Sequence, residues 1–290
     1  MNIQPIEKRF FFHASAVALA GHVRRPADFY IPAVASTCLP VTGGIGKAAS
    51  EAAHFGDLLS YRSASTAVSG DFADKSEALK FTNGNHGDND LATQTSSEAF
   101  VGGLKLSSGG RVLEVESLEA RMAASSDRIG AAQFHTLSAD FQGVKIDGVP
   151  LRIATHCELF TTHPTKELLA QDFANNPEFR SRYSHFFFGD SPARSRLHSI
   201  PEANGIIYGT VVSGLNWDGD IPKGTALAGN SIKIEGLGSL YFGEILIEAG
   251  FRRLTLLRFQ LGSPTGGEGS VVEVQTNGSS WPPRKSPTVP

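Results

Sequence analysis

The residues with the strongest claim to chemistry are His135, His156 and Glu158. On a strand, His156 and Glu158 stand two apart and point to one face, and His135 comes from an earlier strand that could lie beside it. Two imidazoles and a carboxylate form a known metal set that leaves one coordination position for water. The same groups could act as general acid and base at the open end of a β structure. The spacing does not force them together, and histidines hydrogen-bonded on a strand face account for them equally. A divalent transition metal is the only cofactor these residues suggest, and none is expected from the rest of the chain.

A second group is basic. Arg180, Arg182, Arg194 and Arg196, with His185 and His198, are opposed locally by Asp190 alone. Guanidinium forks of this kind seat a phosphate, a carboxylate or an acidic partner. A solvated rim is the plain alternative. Inside the same stretch, "HFFFGD" places three phenylalanines in succession. They cannot all face one layer, so one is expected in the core and another at a pocket or interface.

Other chemistry fails on spacing. "VTGGIGKAAS" has the Gly46-Lys47 pair of a phosphate loop, but Val41 and Ala48 stand where glycine and the magnesium-binding hydroxyl are needed. As the glycine turn of a short-chain dehydrogenase its third glycine is misplaced. None of the five tyrosines is followed four positions later by lysine. There is no Gly-x-Ser-x-Gly, no Ser-x-x-Lys and no His-Glu-x-x-His. A glycine-rich turn between strands is the preferred reading.

The totals agree. The chain has 290 residues, 40% of them apolar, 19% charged, and a net charge of −3. That is enough to build a core, with no global field for nucleic acid or anionic lipid. No apolar run is long enough for a membrane span. The two cysteines, Cys38 and Cys157, give neither a disulfide framework nor a zinc cluster. Two inert buried thiols are preferred to one long-range bridge.

"RFFFHASAVALAGHVRR" (9–25) reads either as the apolar segment of a secretion signal or as a first strand. The strand reading is preferred, because His13 and Ser15 interrupt the apolar run. It sets Phe12, Ala14, Ala16 and Ala18 on one side, small enough for another layer to approach. A weak signal pattern favours the cytoplasm over secretion, which makes the Asn277-Gly278-Ser279 acceptor sequence inert.

The elements that must position these residues are mostly strands. Residues 43–99 are expected to be irregular, with short strands around "DLLSYRSASTAVSGDF" and a loop tip at "NGNHGDND". "LKLSSGGRVLEV" reads as a hairpin and Asp147-Gly148 as a primed two-residue turn. Thr165 caps one helix. Asn176 caps a second, which has Pro177 at its first position. A hairpin about Ala249-Gly250 sets Glu248 against Phe251. Apolar residues then fall on both faces, Glu244 pairs diagonally with Arg253, and Arg258 lies on the opposite face.

These readings give a mainly β, single-domain antiparallel sandwich or barrel of ten or more strands over residues 1–280. One helix pair is inserted near 165–185, and residues 281–290 form a Pro-rich flexible tail. The expected function is a non-catalytic binding or assembly module with a protein partner or self-association, and without nucleic acid or a membrane span. The alternatives are a metal-dependent or acid–base enzyme with its site at the open end of the β structure, and a carrier of a small apolar ligand.

Overall fold

Alternation of small or apolar residues with polar ones carries most of the chain into strands. The computed structural model describes residues 9–26, 28–72, 93–126, 132–188, 206–248 and 250–281. It is mainly β, with two antiparallel sheets that face each other as a sandwich and do not close into a barrel.

The first sheet holds β1 (Arg9–Val23), β2 (Phe29–Cys38), β10 (Phe187–Phe188), β11 (Ile207–Thr210), β13 (Thr225–Ala228), β14 (Ser231–Ile234), β15 (Gly238–Glu248), β16 (Phe251–Leu261) and β17 (Gly267–Trp281). Its order is β10-β11-β15-β16-β17-β1-β2, and the β13–β14 hairpin also joins β15. The second sheet holds β3 (Gly44–Phe55), β4 (Leu59–Phe72), β5 (Thr93–Ser108), β6 (Arg111–Ser126), β7 (Gln133–Gln142), β8 (Lys145–Ile146), β9 (Val149–Thr155) and β12 (Val212–Trp217). Its order is β12-β9-β8-β6-β5-β4-β3, with β7 beside β6. One contiguous apolar core draws on both sheets and on the helices. No helix among the described residues is long and apolar enough to cross a membrane.

The segment 9–25 forms the strand β1, between β17 and β2. Ala14, Ala16 and Ala18 are buried, as the small-residue face requires. The expected turns are present. Glu248 pairs with Phe251, Ser108 with Arg111, and Ile146 with Val149 across Asp147 (φ 50°) and Gly148 (φ 80°). Val41 and Thr42 make the turn between β2 and β3, closed by the Gly43 N–H on the Pro40 carbonyl, and Gly43 and Gly44, both at positive φ, lead from it into β3.

The described residues of 43–99 depart from expectation. They form two long regular strands, β3 and β4, and the start of β5; "NGNHGDND" lies outside the described residues. Their small side chains are what a closely approaching second layer needs. Ala64, Thr66 and Val68 are buried. A Cβ on Gly70 would stand 2.4 Å from Leu39 and 2.8 Å from Phe12. The expected tail also shortens, because Trp281 pairs with Arg9 at the end of β17.

A crease crosses the first sheet. In β15 the buried positions are Leu240 and Phe242, then Ile245 and Ile247. In β16 they are Arg252, Leu254 and Leu256, then Leu257, Phe259 and Leu261. The phase steps at Gly243 in β15 and at Leu256 in β16. The hydrogen-bonded ladders skip one row here, and continuing the register through Val272 of β17, Ala18 of β1 and Ala35 of β2 extends it across the sheet. Gly243, Val272 and Ala35, on alternate members of that row, have φ of 61°, 56° and 44°. Positive φ reverses which face points inward in β15, β17 and β2, as a bulge does, and β16 and β1 step between them without it. The hairpin is therefore not apolar on two faces. One face is buried, and which residues lie on it changes at the crease. The second sheet carries a matching row at Arg62, Gly103 (φ 64°), Glu116 and Gly143 (φ 60°).

The helical block follows β9 as α1 (Glu158–Thr161), α2 (Lys166–Asn175) and α3 (Pro177–Tyr183). The Thr165 side chain accepts from the Leu168 N–H, and that of Asn176 accepts from the Phe179 N–H. Phe173 packs edge to face against Phe179 within the block and against Phe187 of β10. The block is pegged to the first sheet by Arg252, which is 1% exposed. Its Nη1 donates to the Phe160 carbonyl at 2.6 Å and its Nη2 to that of His163 at 2.5 Å. The guanidinium also lies 4.6 Å from the Phe134 ring centroid.

Candidate functional site

The sequence candidates do not converge. His156 follows the end of β9 and packs against Tyr183 and Phe186, with ring centroids 5.7 Å away in each case. Glu158 is exposed at the start of α1, so it does not share a strand face with His156. The chain leaves the sheet at His156, whose N–H donates to the Val211 carbonyl. His135 sits at a register shift of β7 against β6, and burial lowers its pKa by disfavouring the imidazolium. Among the described residues no group of three or more His, Cys, Asp and Glu is arranged to hold a metal ion.

The described arginines of the basic group are engaged locally. Arg180 donates from Nε to the Phe173 carbonyl and from Nη2 to that of Ala174, both at 2.9 Å, so it caps the end of α2. Arg182 lies over Tyr183, 5.2 Å from the ring centroid. Arg194 and Arg196, with Asp190 and His198, fall outside the described residues. Phe186 and Phe187 are both buried. Both cysteines are free. Cys38 is exposed on β2, contrary to the expectation of a buried thiol, and burial pushes the Cys157 thiol up to about 11.

The better-formed site lies on the outer face of the first sheet, where the crease collects charge. A cleft of about 470 Å³ runs over β11, β15, β16, β17 and β1. Its lining includes the small residues Ala20, Gly21, Gly209, Gly269 and Ser270. Arg258 forks onto Glu244, with Nε to Oε2 at 2.6 Å and Nη2 to Oε1 at 2.8 Å. The same guanidinium lies on Tyr241, 3.8 Å from the ring centroid. The Glu244 hydrogen bond raises the Arg258 pKa, against the opposing effect of burial. Beyond the fork, Glu244, Thr255 and Glu273 form one cross-strand row, and the Thr255 hydroxyl donates to Glu273 at 3.3 Å. Arg253 and Glu273 both line the cleft, and neither has an ion-pair partner among the described residues. Glu268 faces Arg24 at 3.1 Å.

Sequence reasoning makes Arg253, not Arg258, the diagonal partner of Glu244, because it assumes unbroken alternation. Tyr241 and Arg258 are direct cross-strand partners on one side of the crease, and Glu244 is on the other. The phase step brings all three to the outer face. The readable signal is a lone glycine, Gly243, inside a strand pattern, together with the shift from Leu240 and Phe242 to Ile245 and Ile247.

No curated protein and no solved structure matches the chain. One family model does, over residues 10–248, which takes in β1 to β15. β16 and β17 lie beyond the match, although they occupy the middle of the first sheet between β15 and β1. By that match the chain belongs to the family described as Domain of unknown function (DUF8256).

Proposed function

We propose that the protein is a non-catalytic binding module that takes its ligand in the cleft over the crease of the first sheet. The observation that carries this reading is the Glu244–Arg258 fork lying on Tyr241, beside Arg253 and Glu273. A fork fixed by two hydrogen bonds and a ring makes a rigid wall. A guanidinium and a carboxylate without ion-pair partners among the described residues then offer donors and an acceptor to one guest. A zwitterion, such as a free amino acid, matches both.

The non-catalytic reading follows from how the carboxylates are engaged. General acid–base work needs an oxygen free to exchange a proton at the ligand. Glu244 commits both oxygens to Arg258, and Glu268 faces Arg24. That leaves Glu273 as the one lining carboxylate outside such a pair, and the lining imidazole, His22, is itself paired with Asp28.

Thermal-shift measurements with millimolar amino acids, dicarboxylates and neutral sugars test the reading. Amino acids are expected to raise the Tm of the wild type and to have no effect on an Arg253→Ala, Glu273→Gln double variant. If amino acids raise neither Tm, or raise both equally, the cleft is not the binding site.

A further inference from the structure

The long edges of the sandwich are guarded unequally. Natural sheets protect an edge with proline, bulges, short strands or a covering element, because unpaired main-chain groups template another strand. β2 carries Pro32, Ala35 at positive φ, and a register shift against β1. β12 has a shift against β9, and β10 is only two residues long. β7 is met by the segment before α2, where the Phe134 N–H donates to the Pro164 carbonyl. β3 has only the crease, whose row continues from Arg62 to Ala52. It is a 12-residue strand without proline, pairs among the described residues only with β4, and holds one register throughout.

Its sequence also complements itself. Along "GKAASEA" (46–52), Lys47 and Glu51 lie symmetrically about Ala49, with only small residues between them. In an antiparallel pairing of two identical strands, residues that share hydrogen bonds must have the same parity in both chains. A two-fold axis at Ala49 meets this condition. It sets Lys47 of each chain directly against Glu51 of the other, on one face of the joined sheet. Within its own sheet Lys47 stands opposite Ala67, and Glu51 opposite Ser63. Both charges are exposed, and neither forms an ion pair among the described residues.

We propose that the protein self-associates through β3. A second copy adds its own β3 antiparallel about Ala49, and two Lys47–Glu51 cross-strand pairs fix the register. The inference does not depend on the ligand reading of the cleft, which lies on the other sheet.

Charge-swap variants read by sedimentation-velocity ultracentrifugation test it. Wild type is expected to dimerise. Lys47→Glu alone and Glu51→Lys alone should each weaken the dimer about tenfold or more, because each sets like charges opposite one another at both pairs. An equimolar mixture of the two single variants should regain the dimer as a mixed species, since every pair is then of opposite sign. The Lys47→Glu, Glu51→Lys double variant should regain it as well. A wild type that stays monomeric at high micromolar concentration overturns the proposal. A dimer that neither swap weakens, or one that the mixture fails to restore, overturns it too.

Discussion

Burial acts on single groups at Arg252 and Cys157. Arg252 has no carboxylate partner among the described residues, and burial pulls its pKa down to about 9. Its charge is met by two carbonyls and an aromatic face, which makes it a peg between β16 and the helical block. At Cys157 burial disfavours the thiolate, so the group ionises only near pH 11. At pH 8 only about one thiol in a thousand is then reactive. In a Cys38→Ser variant, alkylation of Cys157 should be about a hundredfold slower than that of a small thiol of ordinary pKa. Its rate should rise about tenfold per pH unit toward pH 11; a plateau below pH 9 would contradict this. The Arg252 environment is not legible in the sequence, and at Cys157 only the inert buried thiol is, not the residues that cover it. The partners of Arg252 come from residues 160 and 163, and Cys157 is covered by packing far from its neighbours in the chain. His156 and Glu158 misled for the same reason, because the exit of the chain from β9 decides where each points.

Local chemistry reads well at the scale of elements. Thr165, Asn176 and Pro177 start the two helices where their capping chemistry requires, and Asp147-Gly148 makes the turn its positive φ values allow. Glycine inside a strand reads less easily. Gly243 has φ 61°, and a Cβ there would stand 2.8 Å from Val211 Cγ2 and 2.9 Å from Val212 Cγ2. Gly243→Ala is expected to cost roughly 1–3 kcal/mol by chemical denaturation. Gly214→Ala is the control. Its Cβ would meet only Asn216 Nδ2 at 3.5 Å, and its denaturation midpoint should barely move. Equal effects at the two glycines would mean that the crease does not depend on a left-handed residue.

Over the whole molecule, strand content and antiparallel pairing follow from sequence pattern, whereas the depth of the layers does not. The Ala, Ser and Thr of β3 and β4 look like loop by composition. They become strand because Phe12 and Leu39 of the facing layer approach so closely that only small residues fit. The crease is also a property of the assembled sheet, since five strands must step together for any one of them to change phase. That step sets Glu244 and Arg258 on one outer face and makes the cleft. A double-mutant cycle with Glu244→Ala and Arg258→Ala tests it most directly, with the Glu244–Arg253 cycle as reference. The creased sheet predicts a coupling of about 1–2 kcal/mol for Glu244 with Arg258 and close to none for Glu244 with Arg253. Unbroken alternation predicts the reverse, and that result would contradict the account.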